Sequence, residues 1–189
     1  MSLRCPCCES DSMAPNQTQY EVENFGPVLF SLAICRKCGY RQTDVTVLRA
    51  QEPAALLAKI DSLEDLNIRV IKSGTATVSI PEFGATITPG PCSEGYISNV
   101  EGVLGKIEDA LIFMLNSANG KTLQKGERLL KRMRYARDQK PRFTFVIKDP
   151  FGNSGLISPK AGKVKKRKLS NAELAKTKFG EQAIIQPER

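Results

Sequence analysis

The chain has 189 residues, 41% of them hydrophobic and 25% charged, with six cysteines and no histidine, enough to bury one sizeable core and a small satellite. Without histidine, Ser-His-Asp and Cys-His nucleophile systems, His-ligated zinc hydrolases and two-His-one-carboxylate iron sites are excluded, and the chain reads as a binding protein and not an enzyme. The net charge of +8 is uneven: residues 158–189 carry +6 and residues 121–142 carry +7, so a mildly acidic body bears one basic helix and one basic tail.

Residues 1–48 hold two Cys-x-x-Cys pairs, Cys5/Cys8 and Cys35/Cys38, with 26 residues between them. Strand-like segments at 19–25 and 28–34, separated by Gly26-Pro27, form a hairpin that returns one pair to the other, and the alternation over 43–47 suggests a third strand. A tight turn between paired cysteines lets both thiolates reach one ion at about 2.3 Å, and two pairs give a closed, structural four-sulfur zinc site. Gly39 follows the second pair, whereas Glu9 stands at the matching position of the first. Cys7 is an additional thiol that competes as a ligand, but its adjacency to Cys8 disfavours chelation by both, and Cys92 reads as incidental. The competing reading of these cysteines is a redox dithiol.

Residues 54–60 read by propensity as a short helix behind Pro53. Residues 66–90 alternate and are broken by Pro81, Gly84 and Pro89-Gly90, as in an antiparallel sheet. At Ser98 the period lengthens to 3.6: Ser98 and Glu101 form a capping-box pattern, and Val100, Val103, Leu104, Ile107, Leu111 and Leu115 make one apolar stripe. A second helix from about Thr122 to Asp138 turns Leu123, Leu130 and Met133 inward and its cations outward, giving an antiparallel hairpin at about 98–140. A strand follows at 143–147 and a turn at Asp149-Pro150-Phe151-Gly152-Asn153. The fold class is therefore mostly β with inserted helices (α+β). Residues 159–189, with Lys163, Lys165, Lys166, Arg167 and Lys168, read as a disordered basic tail.

Taken together, the cysteine pairs, Glu64-Asp65-Leu66-Asn67 with Val70-Ile71-Lys72-Ser73, Ile80-Pro81-Glu82-Phe83, Val100-Glu101-Gly102-Val103-Leu104 and Asp149 through Ser154 resemble the ZPR-type zinc-finger proteins over roughly residues 5–157. The resemblance implies a four-cysteine zinc ribbon (1–48) joined to a double-stranded β-helix domain (49–158) carrying the helical hairpin, and makes 54–60 a strand. It also implies a single-module, archaeal-like form and one structural Zn2+. The implied partner is translation elongation factor one-alpha, whose folding such proteins assist. Candidate partner contacts are Arg36, Lys37, Tyr40 and Arg41 at the ribbon tip. Weak RNA binding through the basic helix and the 163–168 cations is the alternative reading. No apolar run reaches the roughly 20 residues of a membrane span, and a cytoplasmic protein is expected.

Overall fold

A computed structural model describes residues 3–22, 26–48, 52–90 and 93–176. Strands β1 (Met13–Val22), β2 (Gly26–Cys35) and β3 (Arg41–Val47) form an antiparallel ribbon in that order. Its register sets Met13 opposite Cys35 and Ile34 opposite Arg41, so the hairpin returns the second cysteine pair to the first. The outer strand β1 is largely exposed. Burial falls at the ribbon's two ends, around Cys5, Met13 and Cys35 at one and at the base, where Val28, Val45 and Val47 pack on Ile71 of the body. Gly95 permits this seat, because a Cβ there would lie 2.7 Å from the Val45 nitrogen. The expected ribbon strands at 28–34 and 43–47 fall within β2 and β3, while residues 23–25 lie outside the described residues.

The body is built from β4 (Ala54–Ile60), β5 (Arg69–Lys72), β6 (Thr77–Ile80), β7 (Ala85–Ile87), β8 (Tyr96–Asn99), helices α1 (Val100–Leu115) and α2 (Gly120–Asp138), then β9 (Phe143–Asp149), β10 (Gly155–Ile157), β11 (Val164–Lys168) and α3 (Asn171–Leu174). One antiparallel sheet runs β11-β4-β9-β6-β7 and a second runs β10-β5-β8. Their inner faces share one core, in which Ile60, Val70, Val78, Phe145 and Ile147 meet Leu104 and Met133 of the helices. At about 25 cal/mol per Å² of apolar surface removed from water, such side chains supply the main drive for folding.

Residues 54–60 form a strand, as the resemblance implies and against their helical propensity. β4 lies between β9 and β11 with Ala54, Ala55, Leu56, Ala58 and Ile60 buried, and tertiary pairing of this kind overrides intrinsic preference. The alternation over 66–90 does mark strands, but β5 joins one sheet and β6 with β7 the other. A period of two identifies a strand without naming its neighbour.

The stripe on α1 faces inward as expected, with Val100, Val103 and Leu104 in the core and Ile107 and Leu111 against it. The cap differs from expectation. Asn99, not Ser98, is the N-cap, and its side chain accepts from the Gly102 N–H at 2.8 Å. Glu108, buried on α1, accepts from Arg134 and Arg137 of α2 at 2.6 Å each and ties the two helices together.

The expectation of a disordered tail is corrected over residues 159–176; residues 177–189 lie outside the described residues. β11 pairs with β4 from Val164 opposite Ala58 to Lys168 opposite Ala54, and Leu169 is buried behind it. A segment too polar to bury a core of its own acquires strand structure from the backbone donors and acceptors of β4. Ion pairs add to the ladder: Lys163 to Asp61 and Asp65, Arg167 to Glu173, and Lys168 to Glu52.

Asp65 is 1% exposed. Burial raises its pKa, but the 2.8 Å contact with Lys163 and the Asp61 and Ser62 N–H groups outweigh burial and hold the carboxyl below its ordinary range. A depressed native pKa stabilises the fold fully above the ordinary carboxylate value near 4 and progressively less as pH falls through the native value. Asp65→Asn is thus expected to lower the urea midpoint at pH 7, with the gap to wild type narrowing below about pH 4. A gap that stays constant from pH 7 to pH 3 would contradict this assignment.

Candidate metal centre

Each Cys-x-x-Cys segment closes in the same way. Glu9 N–H donates to the Cys5 carbonyl at 2.8 Å and Cys5 N–H to the Ser10 carbonyl at 2.8 Å; Gly39 N–H donates to the Cys35 carbonyl at 2.9 Å and Cys35 N–H to the Tyr40 carbonyl at 2.8 Å. Both turns require a left-handed residue, with φ of +75° at Gly39 and +57° at Glu9. Gly39 adopts this freely, whereas Glu9 must be held there, and Arg4 does so through a 2.9 Å ion pair and a 3.2 Å bond to its carbonyl.

The two turns converge. Cys5 Sγ lies 3.7 Å from Cys38 Sγ, Cys8 Sγ lies 3.6 Å from Cys35 Sγ, and all four sulfurs fall within 4.8 Å of one another. Four sulfurs at about 2.3 Å from a tetrahedral ion stand about 3.8 Å apart. The cluster can therefore hold a zinc ion, and its separations are too long for disulfides, whose S–S bond is about 2.05 Å. Cys7 is exposed and outside the cluster, and Cys92 lies outside the described residues.

Two serines absent from the sequence-based site complete the surroundings. Ser12 Oγ lies 3.1 Å from Cys35 Sγ, Ser10 Oγ lies 3.0 Å from Cys8 Sγ, and the two hydroxyls are 2.6 Å apart. The Ser12 hydroxyl, followed by the Cys38 N–H, brings the Cys35 pKa down to about 5, and Ser10 lowers that of Cys8. At Cys38 a bond from the Tyr40 N–H lowers the pKa, but burial and the neighbouring sulfurs push it up to about 12. Crowded thiols of this kind cannot all ionise unless a cation neutralises them. Hydroxyl donors two and four residues after Cys8 were the available sequence signal, but serine is too common in turns to distinguish them.

At the ribbon tip Arg36, Lys37 and Arg41 are exposed, while Tyr40 is half-buried against Cys5, Met13 and Cys35. The tail cations are dispersed by comparison. Lys163, Arg167 and Lys168 are engaged by carboxylates, and Lys165 and Lys166 are exposed.

A family model of the ZPR1 jelly-roll domain matches residues 64–184. A ZPR1-like protein of Pyrococcus horikoshii is 35% identical over 97% of this chain and 83% of that protein. The chain belongs to the ZPR1 family. A ZPR1-like protein of Methanocaldococcus jannaschii is 37% identical over 94% of this chain and 89% of that protein. The zinc finger chaperone zpr1 of Schizosaccharomyces pombe is 27% identical over 80% of this chain but only 34% of its own length. The jelly-roll match extends across β11, in keeping with its place in the five-stranded sheet, and across α3.

Two of the ZPR1-like motifs read from the sequence meet in space. Asp149, 1% exposed, accepts from the hydroxyls of Ser73 at 2.8 Å, Ser154 at 2.6 Å and Thr75 at 3.3 Å, and from the Phe151 N–H at 2.9 Å. Ser73 N–H donates in turn to Ser154 Oγ at 3.0 Å. Beside them Lys72 is fully buried, donating to the Ser73 carbonyl at 2.9 Å and lying over the Tyr96 ring at 5.6 Å. Burial lowers its pKa, while Asp149 and Asp44 pull it back up. This network joins the ribbon's seat to the sheets, and no sequence spacing reveals a contact across 76 residues.

Proposed function

We propose that this chain is a zinc-binding protein-interaction module, with Cys5, Cys8, Cys35 and Cys38 as ligands of one structural Zn2+, that binds translation elongation factor one-alpha and assists its folding or regulation. The convergence of four sulfurs within 4.8 Å, two of their separations being 3.6 and 3.7 Å as around a tetrahedral ion, carries the metal assignment. Four thiolates leave no open coordination position, so the ion would stiffen the ribbon and not perform chemistry. The name of the fission yeast relative, zinc finger chaperone, supports a role in handling another protein. The elongation-factor partner rests on the family resemblance, and a cytoplasmic location follows from that partner. Among the described residues no helix is long and apolar enough to cross a membrane.

In this reading the metal fixes the turn that presents Arg36, Lys37 and Arg41, with Tyr40 anchoring it from below. Affinity capture from the native host with zinc-loaded protein should enrich elongation factor one-alpha. Arg36→Glu/Lys37→Glu/Arg41→Glu should lose most of that enrichment while retaining one zinc per chain. No enrichment by the zinc-loaded wild type would remove the partner, and undiminished enrichment by the triple variant would remove the ribbon-tip contact. RNA binding through the tail is disfavoured, because Lys163, Arg167 and Lys168 are engaged by Asp65, Glu173 and Glu52.

A further inference from the structure

Two pairs of cations in the C-terminal half of α2 differ in their surroundings. Arg134 and Arg137 are neutralised by Glu108, and Arg137 also by Asp138. Lys131 and Arg132, one turn earlier, join Lys140 and Arg142 around an open cleft of about 540 Å³ between α2 and the start of β9. Among the described residues no carboxylate lies within ion-pair distance of any of these four, and none lines the cleft. The nearby Glu82 carboxylate instead accepts from the Thr144 hydroxyl at 2.8 Å.

The cleft also has aromatic walls. Phe83 lies under the Arg132 guanidinium at 5.9 Å, and Arg132 donates to the Glu82 carbonyl at 2.9 Å, which fixes that cation with most of its N–H groups still unused. Tyr135 lines the cleft and is 53% exposed. Four cations lining one cleft, with no carboxylate among its described lining residues, provide for phosphate, and an exposed ring among them provides a stacking face for a planar base.

We propose that this cleft binds a nucleotide, with its phosphates on Lys131, Arg132, Lys140 and Arg142 and its base on Tyr135, either as a free nucleoside triphosphate or as one unit of single-stranded RNA. The site is separate from the ribbon tip and draws on the basic helix that the protein-binding role leaves unused. Fluorescence anisotropy tests it with two probes, a fluorescein-labelled single-stranded RNA 12-mer and a fluorescent guanosine triphosphate, each at two salt concentrations. Binding of the 12-mer alone assigns RNA as the source; binding of the triphosphate assigns the free nucleotide.

In either arm Lys140→Gln/Arg142→Gln should weaken binding at least tenfold. With RNA it should also flatten the salt slope by about 1.4, since each neutralised single-strand phosphate contributes about 0.7. Tyr135→Ala should weaken binding roughly 5- to 100-fold, as expected for loss of one stacked base, and Tyr135→Phe should restore it. Lys121→Gln/Lys125→Gln removes equal charge from α2 outside the cleft and should change binding less than threefold. Far-UV circular dichroism establishes that each variant is folded. The proposal is overturned if neither probe binds at low salt, if the two double variants weaken binding equally, or if polyglutamate displaces the probe better than unlabelled RNA and triphosphate.

Discussion

Replacing Cys35 with serine is expected to abolish stoichiometric zinc binding and to loosen the ribbon from its tip while the body stays folded. Cys35 ends β2, is 1% exposed, and receives both the Ser12 hydroxyl and the Cys38 N–H, so it is the best-prepared thiolate of the four. The tip has little else to hold it. Its cluster comprises Cys5, Met13 and Cys35, with Cys8, Ala33 and Tyr40 alongside, and most of β1 faces solvent. Structural zinc supplies about 10–16 kcal/mol to small ribbon-like folds, far more than these side chains can. The ribbon base rests on Ile71 and is independent of the metal, which confines the damage to the outer half. Metal analysis should fall from about one zinc per chain to near zero. Amide exchange in residues 13–17, the half of β1 that pairs toward Cys35, should accelerate on the order of 100-fold or more, while the half that ends at Val22 on the base cluster keeps its protection. Retention of full zinc by Cys35→Ser, or unchanged protection of β1 after chelation, would refute the four-sulfur clamp.

Asp149→Ala is expected to destabilise the body as much as truncating a large core side chain. Its carboxylate satisfies three hydroxyls and one backbone N–H in a site closed to water, and it offsets the charge of the buried Lys72. Removing it leaves donors unpaired and a buried cation with less compensation, a loss of about 3–5 kcal/mol by analogy with broken buried pairs. For a chain of this size that corresponds to a fall in Tm of about 10 °C. Asp149→Asn keeps one acceptor and should lose roughly half as much. Asp138→Ala, an exposed control, should stay within about 0.5 kcal/mol of wild type. A Tm for Asp149→Ala within 2 °C of wild type would show that the network is dispensable.

The clustering of Cys5, Cys8, Cys35 and Cys38 was legible because each pair is closed by a turn of fixed length that needs no knowledge of the rest of the chain. The stripe on α1 was equally readable, since one face of a long helix repeats at a period that loops and strands do not imitate. Elements whose structure is supplied by a neighbour were not. β11 has no apolar alternation of its own and is a strand because β4 offers it an edge. The segment Ala54–Ile60 is rich in good helix formers, and only its position between β9 and β11 decides its form. Ser98 and Asn99 are both competent caps, and the choice falls to the residue whose oxygen reaches the Gly102 nitrogen. The Asp149 network lay hidden for the same reason, because it is assembled from segments that only the completed sheets bring together.

The placement of Val164–Lys168 also has a consequence for how copies of this molecule meet. As the outermost strand of the five-stranded sheet, it turns four successive basic residues toward solvent, while the opposite margin ends in the three-residue Ala85–Ile87. Joining two such rims would strip water from Lys165, Lys166 and the ion-paired Arg167 and Lys168, and a margin three residues long offers too short a template for an incoming chain. The stretch that looks least structured in the sequence thus acts as a gatekeeper against cross-β stacking.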